Sequence, residues 1–348
     1  MHAIFEHVST SSTEHVIIDE RYVSVSYKVT QRPKSDKGVS TFYYIPSLQL
    51  QFLNFTLTSF KNVQSRPIGP SPTTKMHKYT VLITGNLALQ TYHSSPTLLS
   101  VPGANTGFGF AIATALSSSP RYHIIMAVRS LARGQTAFDK LHASHAHTAP
   151  ESRATISLLH LDPTDCDSIS SAASYLTQNV GRLDALINNA GLLSRLPTLH
   201  AQLIETFSLN TFAPALLTES LLPLMERSPD PRVIHISADL GSITLKSDPA
   251  SQYHEIDHMA YRMSKAALNM MTACHAVQFH GWGGKVWSYN PGFVVTDAWG
   301  NSEEAREAMR KAGAGSADDA AQGVMDILEG GRDDETGCFL DRHGRHPW

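Results

Sequence analysis

Little of this chain is charged, and what charge there is balances: 28 Lys and Arg stand against 31 Asp and Glu, a net of −3. Such a balance offers no basic stripe to track a phosphate backbone, which excludes nucleic acid as an expected partner. Cysteine is scarce. Cys166, Cys274 and Cys338 are too scattered for a disulfide framework or a C-x-x-C centre, so a reducing compartment is expected. No run of about 18 apolar residues occurs, and residues 1–12 lack the basic start and apolar core of a secretory signal. Neither a membrane span nor export is expected, and the cytoplasm is the plain inference. The most apolar part of the N-terminal region, residues 43–60, is interrupted by Ser47, Gln49, Gln51, Asn54 and Ser59.

What is present suits a sizeable core: 42% of the 348 residues are hydrophobic. From about Tyr79 onward, short apolar runs alternate with amphipathic stretches, the pattern of β-α-β units around a parallel sheet. Strands are expected at 80–84, 123–128, 156–161, 183–188, 233–237 and 285–289, with a shorter one at 338–340. Helices are expected at 110–116, 131–144, 164–180, 201–225 and 258–279. The fold class is therefore α/β, a doubly wound parallel sheet in one domain. Residues 1–75 lack this periodicity and end in a stretch rich in Pro, Ser and Thr, so they read as an irregular or poorly ordered extension to a domain at 76–348.

Tyr261 and Lys265 stand four residues apart on an expected helix and share one of its faces. A lysine held there favours the phenolate and lowers the tyrosine pKa toward the working range of a general acid or base. Such a pair can exchange a proton with a carbonyl or alcohol oxygen.

A second feature is a broken glycine loop. Without residues 86–103 the chain would run from Val81-Leu82-Ile83-Thr84-Gly85 directly into Ala104-Asn105-Thr106-Gly107-Phe108-Gly109, a strand followed by T-G-x-x-x-G-x-G and a helix. Glycines there permit the tight turn, close approach of a pyrophosphate and packing of helix on strand. Two registers are open: residues 81–84 or residues 98–101 can serve as the entering strand. The 18-residue insert is consistent with a translated intron, because its boundary residues can be encoded by splice-site sequences.

At these residues the chain resembles the short-chain dehydrogenase/reductase family, with the carbonyl-reductase branch suggested by Val128-Arg129-Ser130. The resemblance implies a Rossmann-type fold and a nicotinamide cofactor. Thr84, Gly85, Asn105, Gly107 and Gly109 would form the phosphate loop. Arg129, with no carboxylate at Val128, would pair with a 2′-phosphate and select NADP. Asp162 would accept from the adenine amino group, its other reading being an N-cap. Asn188 and Gly191, in Asn188-Asn189-Ala190-Gly191, would pass close to the cofactor. Pro291, Gly292 and Thr296 would close over the carboxamide and pyrophosphate, and residues 298–320 would form the substrate lid. Tyr261, Lys265, Asn210 and a serine would be catalytic, Asn210 by anchoring a water behind the lysine.

Here the chain departs from the pattern: Ala238 follows Ser237 where the working hydroxyl is expected, leaving Ser237 or Ser242 as the candidates. The implied activity is NADP-dependent reduction of a small-molecule carbonyl, or oxidation of the alcohol. The alternative is a catalytically impaired Rossmann domain used for binding or regulation. Family members pair through the helices around Asn210 and Tyr261, so a homodimer is implied, although the excursion before Tyr261 lies at that face.

One competing motif remains. His254-Glu255-Ile256-Asp257-His258 matches H-E-x-x-H, a zinc motif when carried on a helix. No third ligand stands at a recognisable spacing among the 18 histidines, and the stretch reads as a solvated entry to the following helix, so no metal is expected.

Overall fold

A computed structural model describes residues 13–16, 25–28, 77–85, 107–144, 149–295 and 302–348. The chain divides into two units, Met1–Ser71 and Pro72–Trp348. In the first, β1 (Thr13–Val16) and β2 (Val25–Lys28) pair antiparallel, so the stretch expected to be irregular contains a two-stranded ladder. The rest of the expected extension, the 86–103 insert, Asn105 and Thr296 lie outside the described residues.

The second unit is an eight-stranded sheet ordered β10-β9-β8-β7-β6-β3-β4-β5. Its strands are β3 (Tyr79–Thr84), β4 (Tyr122–Val128), β5 (Thr155–His160), β6 (Ala185–Asn188), β7 (Arg232–Ile236), β8 (Lys285–Tyr289), β9 (Phe339–Asp341) and β10 (Gly344–Arg345). All neighbours are parallel except β9 and β10, which form a hairpin. Strand order reverses between β3 and β6, and ligands of doubly wound sheets bind at the carboxyl ends beside such a reversal.

Alternation along the strands sends side chains to two cores. Val81 and Ile83 pack with α1 (Phe108–Ser117), α2 (Leu131–Ser144) and α9 (Ala317–Leu328), through residues such as Ile112, Leu141 and Val324. Leu82 and Val233 face the other way, onto α3 (Cys166–Asn179), α5 (Ala213–Met225) and α7 (Met259–Phe279), through Leu176, Leu221 and Phe279. Burying both faces of the sheet explains why its strands read as continuous apolar runs. The shorter helices are α4 (Leu199–Phe207), α6 (Ile243–Ser247) and α8 (Glu303–Lys311).

Of the two registers for the strand entering the glycine loop, the structure adopts the upstream one: β3 ends at Thr84, and α1 begins after Gly107. The single helix expected over 201–225 is broken. A π-helical turn, Ser208–Phe212, separates α4 from α5 and carries Asn210 at its centre. Such turns cluster at functional sites because they re-aim one side chain out of the helical ladder. No helix among the described residues is long and apolar enough to cross a membrane.

Candidate active site

Three strand ends build the crevice. Thr84, at the end of β3, accepts from the Asn189 and Ala190 N–H groups at 3.0 and 3.2 Å, which ties the β6 loop to the glycine-loop strand. Asn189 Nδ2 returns a bond to the Thr84 carbonyl at 2.9 Å. The α1 helix comes so close that a Cβ at Gly109 would stand 2.6 Å from Asn189 Nδ2. Gly107, just before α1, has φ +75°, a conformation that glycine adopts without a Cβ penalty. The glycine positions thus serve the turn and the close approach that a pyrophosphate site requires.

Beyond Asn189 the chain reaches Gly191, where the catalytic candidates meet. A Cβ built at Gly191 would lie 3.2 Å from both Asn210 Oδ1 and Lys265 Nζ. Asn210 is fully buried and held on three sides: its Oδ1 accepts from Leu192 N at 2.8 Å, and its Nδ2 donates to Leu192 O at 2.9 Å and Ser264 Oγ at 3.0 Å. Lys265 Nζ donates to the Ile236 carbonyl, the last residue of β7, at 2.7 Å. It also sits 5.8 Å from the centre of the Tyr261 ring. Tyr261, Lys265, Asn210 and Gly191 are therefore brought together at the carboxyl ends of β6 and β7.

The electrostatics differ from the sequence expectation. Tyr261 is not made more acidic; loss of hydration pushes its phenol up to about 12, with the Asp239 carboxylate adding to the rise. Burial instead brings the Lys265 ammonium down to about 8. Both changes follow from one cause, since an enclosed site disfavours whichever form is charged. The pair holds its protons as neutral phenol and loosely protonated amine.

Ser237 does not join them. Its hydroxyl donates to Asn269 Oδ1 at 2.7 Å. Asn269 lies eight residues along α7 from Tyr261, about 12 Å of helix rise. Strand alternation aims Ser237 at the far stretch of the helix. Ser242 is buried as the N-cap of α6, its Oγ accepting from Leu245 N at 3.0 Å. Ala238, extended at φ −162°, presents only a methyl group between them.

The remaining candidates take varied places. Asn188 turns its amide inward, donating to Thr218 Oγ1 and sharing a hydrogen bond with His235 Nδ1, both at 3.1 Å. Asp162 accepts from Thr164 N at 3.0 Å and does not cap α3; Asp165 does, by accepting from Asp167 N at 3.0 Å. Arg129 follows β4, where burial lowers its pKa while Asp162 favours its charge. After β8, Gly292 turns at φ +74° with its N–H on Asn290 Oδ1, placing the Pro291-Gly292 bend at the same edge of the sheet.

Several working residues escaped the sequence reading. Arg262 gathers the carbonyls of Tyr253, Ile256 and Asp257, and that of Leu240 in the turn after β7, so it clamps the excursion to the start of Tyr261's helix. Asp239 accepts from Asn290 Nδ2 at 2.9 Å, and its charge adds to the burial that pushes the Tyr253 phenol up to about 12. The H-E-x-x-H stretch lies in turns before α7, and His258 itself has φ +81°. Without a helix its two histidines do not share a face.

A doubly wound sheet, a glycine-lined approach at its reversal point and a Tyr–Lys–Asn constellation beside it define a dinucleotide-binding α/β protein. The short chain dehydrogenase family profile matches residues 98–307. A short-chain dehydrogenase of Penicillium roqueforti is 33% identical over 233 residues, covering 63% of this chain and 89% of that one. A short-chain dehydrogenase/reductase of a Phoma species is 30% identical over 272 residues, covering 71% and 96%. Among solved structures, an NADPH-bound carbonyl reductase from chicken fatty liver aligns with TM-score 0.60 and 26% identity, over 78% of this chain and all of that one. The chain belongs to the short-chain dehydrogenase/reductase family and is an oxidoreductase of that family. The profile match starts downstream of β3, whose place in the sheet the structure supplies.

Proposed function

We propose that this protein reduces a carbonyl of a small molecule with NADPH, or runs the reverse oxidation, in the unit Pro72–Trp348. The observation that carries this reading is the convergence of Lys265 and Asn210 on Gly191, with the Tyr261 ring beside Lys265 Nζ. The residues fit a nicotinamide dinucleotide: Gly191 lacks the Cβ that would crowd Lys265 Nζ and Asn210 Oδ1 at 3.2 Å, and Gly107 turns the chain into a helix N-terminus. Gly85, Gly107 and Gly109 would hold its phosphates and Lys265 its ribose hydroxyls, with Pro291 and Gly292 beside its carboxamide. When bound, the cofactor supplies the hydride.

The chain's own part is proton delivery and placement. Tyr261 keeps its proton at neutral pH and can donate it to the carbonyl oxygen. Lys265, fastened to β7 by the Ile236 carbonyl, provides the positive charge beside the phenol; Asn210 backs it from the π turn. Arg129, with only Val128 before it, favours the 2′-phosphate of NADP over a bare ribose. Soluble action in the cytosol and pairing through α5 and α7, which expose Leu216, Met263 and Met270, belong to the same reading.

Tyr261→Phe tests it: turnover should vanish while NADPH binding, followed by nicotinamide fluorescence, stays near wild type. Equal turnover in the variant would refute the assignment. The second reading, a binding domain with impaired chemistry, is favoured by Ala238 and by the internal engagement of both serine hydroxyls; NADPH binding with no turnover in the wild type would select it.

A further inference from the structure

The hairpin β9–β10 and the segment after it fold back onto the turn that underlies Tyr261. His346 makes the junction. Its Nε2 lies 3.1 Å from Asp239 Oδ1, at ion-pair distance though off the hydrogen-bond direction, and its Nδ1 lies 3.3 Å from Asp341 Oδ2. The ring stands edge-on to Phe339 at 4.8 Å, and Phe339 stacks on Trp348 at 5.7 Å. The Trp348 carbonyl then accepts from Thr244 N in α6 at 2.8 Å. An imidazole facing a carboxylate at each nitrogen satisfies both only when both nitrogens carry protons.

Asp239 is the point where the crevice loops meet. It lies in the turn after β7, takes the Asn290 amide from the end of β8, and its charge reaches both Tyr261 and Tyr253 of the excursion. The same turn is pressed against α7: a Cβ at Gly241 would stand 2.7 Å from Lys265 Cβ. Whatever holds Asp239 therefore holds the floor on which Tyr261 and Lys265 rest.

We propose that His346 is a positioning residue for the Tyr261 site: as an imidazolium it bridges Asp239 and Asp341, pins the β9–β10 hairpin to the turn beneath the phenol, and releases that turn when it loses its proton. This rests on Tyr261 being the acid of the reaction. The charged groups facing the imidazole are Asp239 and Asp341, and together they raise its pKa against the opposing effect of burial. The folded-state value is raised, so the bridge is complete below the ordinary histidine range and is lost as pH rises through the folded value.

The test uses the full chain with NADPH and benzil, an aromatic diketone, as the probe substrate. His346→Gln keeps a donor but no charge. It should lower kcat about fivefold at the acidic end, leave the KM for NADPH unchanged, and abolish the fall of kcat expected in the wild type as pH rises through the folded-state value of His346, while the separate fall near pH 8 set by Lys265 remains. Asp239→Asn should remove the same limb, and His346→Gln should then add nothing to it. Independently of turnover, the His346 ring resonance should titrate above the ordinary histidine value in the wild type and return toward it in Asp239→Asn. A wild-type pH profile in His346→Gln, or a ring that titrates at or below the ordinary value, overturns the proposal. Retained turnover in Tyr261→Phe, or none in the wild type, sinks the reading beneath it, while the ring titration still reports on the bridge itself.

Discussion

Lys265 Nζ lies 5.8 Å from the centre of the Tyr261 ring while it donates to the carbonyl of Ile236 at 2.7 Å. The strand end, not the phenol, fixes the ammonium, and burial brings its pKa down to about 8. Carbonyl reduction should accordingly decline as pH rises through about 8, where Lys265 loses the charge that steadies the site. Lys265→Arg keeps the cation at all these pH values, so in the His346→Gln background, where the His346 limb is absent, its lower rate should stay level over that range. A variant profile that bends at the same pH as the wild type would assign the ionisation elsewhere.

Gly191 tests whether the meeting point of Asn210 and Lys265 is the cofactor's place. Alanine there would put its Cβ 3.2 Å from both side chains, tighter than ordinary contact and directed into the proposed ribose site. We expect Gly191→Ala to weaken NADPH binding, because its methyl enters the proposed ribose site, and to lower stability by about 1–3 kcal/mol, the usual cost of an overpacked site. Isothermal titration measures the first and calorimetry the second. Unchanged NADPH affinity would move the cofactor away from Gly191.

The missing hydroxyl at Ala238 should be restorable. Ser237 is engaged with Asn269 and Ser242 with Leu245 N, so neither is free to assist the substrate oxygen without giving up a bond already made. Ala238→Ser adds a donor at an extended residue beside the site, and oxyanion donors are worth on the order of 2.7–4 kcal/mol at the transition state. Turnover should rise by tenfold or more, read as kcat with NADPH and a carbonyl probe. A variant no faster than wild type would mean that the chemistry proceeds without that hydroxyl.

How much of this was legible beforehand follows from the range over which each signal acts. β3, β6 and β7 were readable as apolar runs because both faces of the sheet are covered, and Tyr261–Lys265 because helix geometry links residues four apart. The π turn at Asn210 was invisible, since one extra residue in a helix leaves no mark in apolar spacing. Sequence spacing leaves Ser237 and Ser242 both open for the missing hydroxyl, and only the fold shows their partners, Asn269 and Leu245 N. The Tyr261 pKa was expected to fall on proximity alone; desolvation, which only the fold reveals, reverses the direction. Asp239 and His346 come from opposite ends of the second half of the domain, and no local pattern announces their meeting.

Stability at the opposite edge of the sheet should depend on Arg232. Its guanidinium is almost wholly buried, over the Trp287 ring at 5.6 Å, and pairs with Asp230 at 2.7 Å and Asp333 at 2.5 Å. Lys285 joins both carboxylates from β8, so the four groups tie β7 and β8 to the turn before β9. Arg232→Ala removes the buried partner but leaves carboxylates that are 39% and 34% exposed, so water recovers part of the loss. The expected cost is about 1–3 kcal/mol, read from urea denaturation at neutral pH. Both carboxyls are held below their ordinary pKa by the hydrogen bonds and charges of Arg232 and Lys285, which outweigh burial. Their contribution is therefore present above the unfolded carboxyl value of about 3.9 and disappears as pH falls through the folded values. The difference between wild type and Arg232→Ala should narrow on acidification; a gap that stays constant down to the acid transition would show that Arg232 acts through packing on Trp287 and not through its charge.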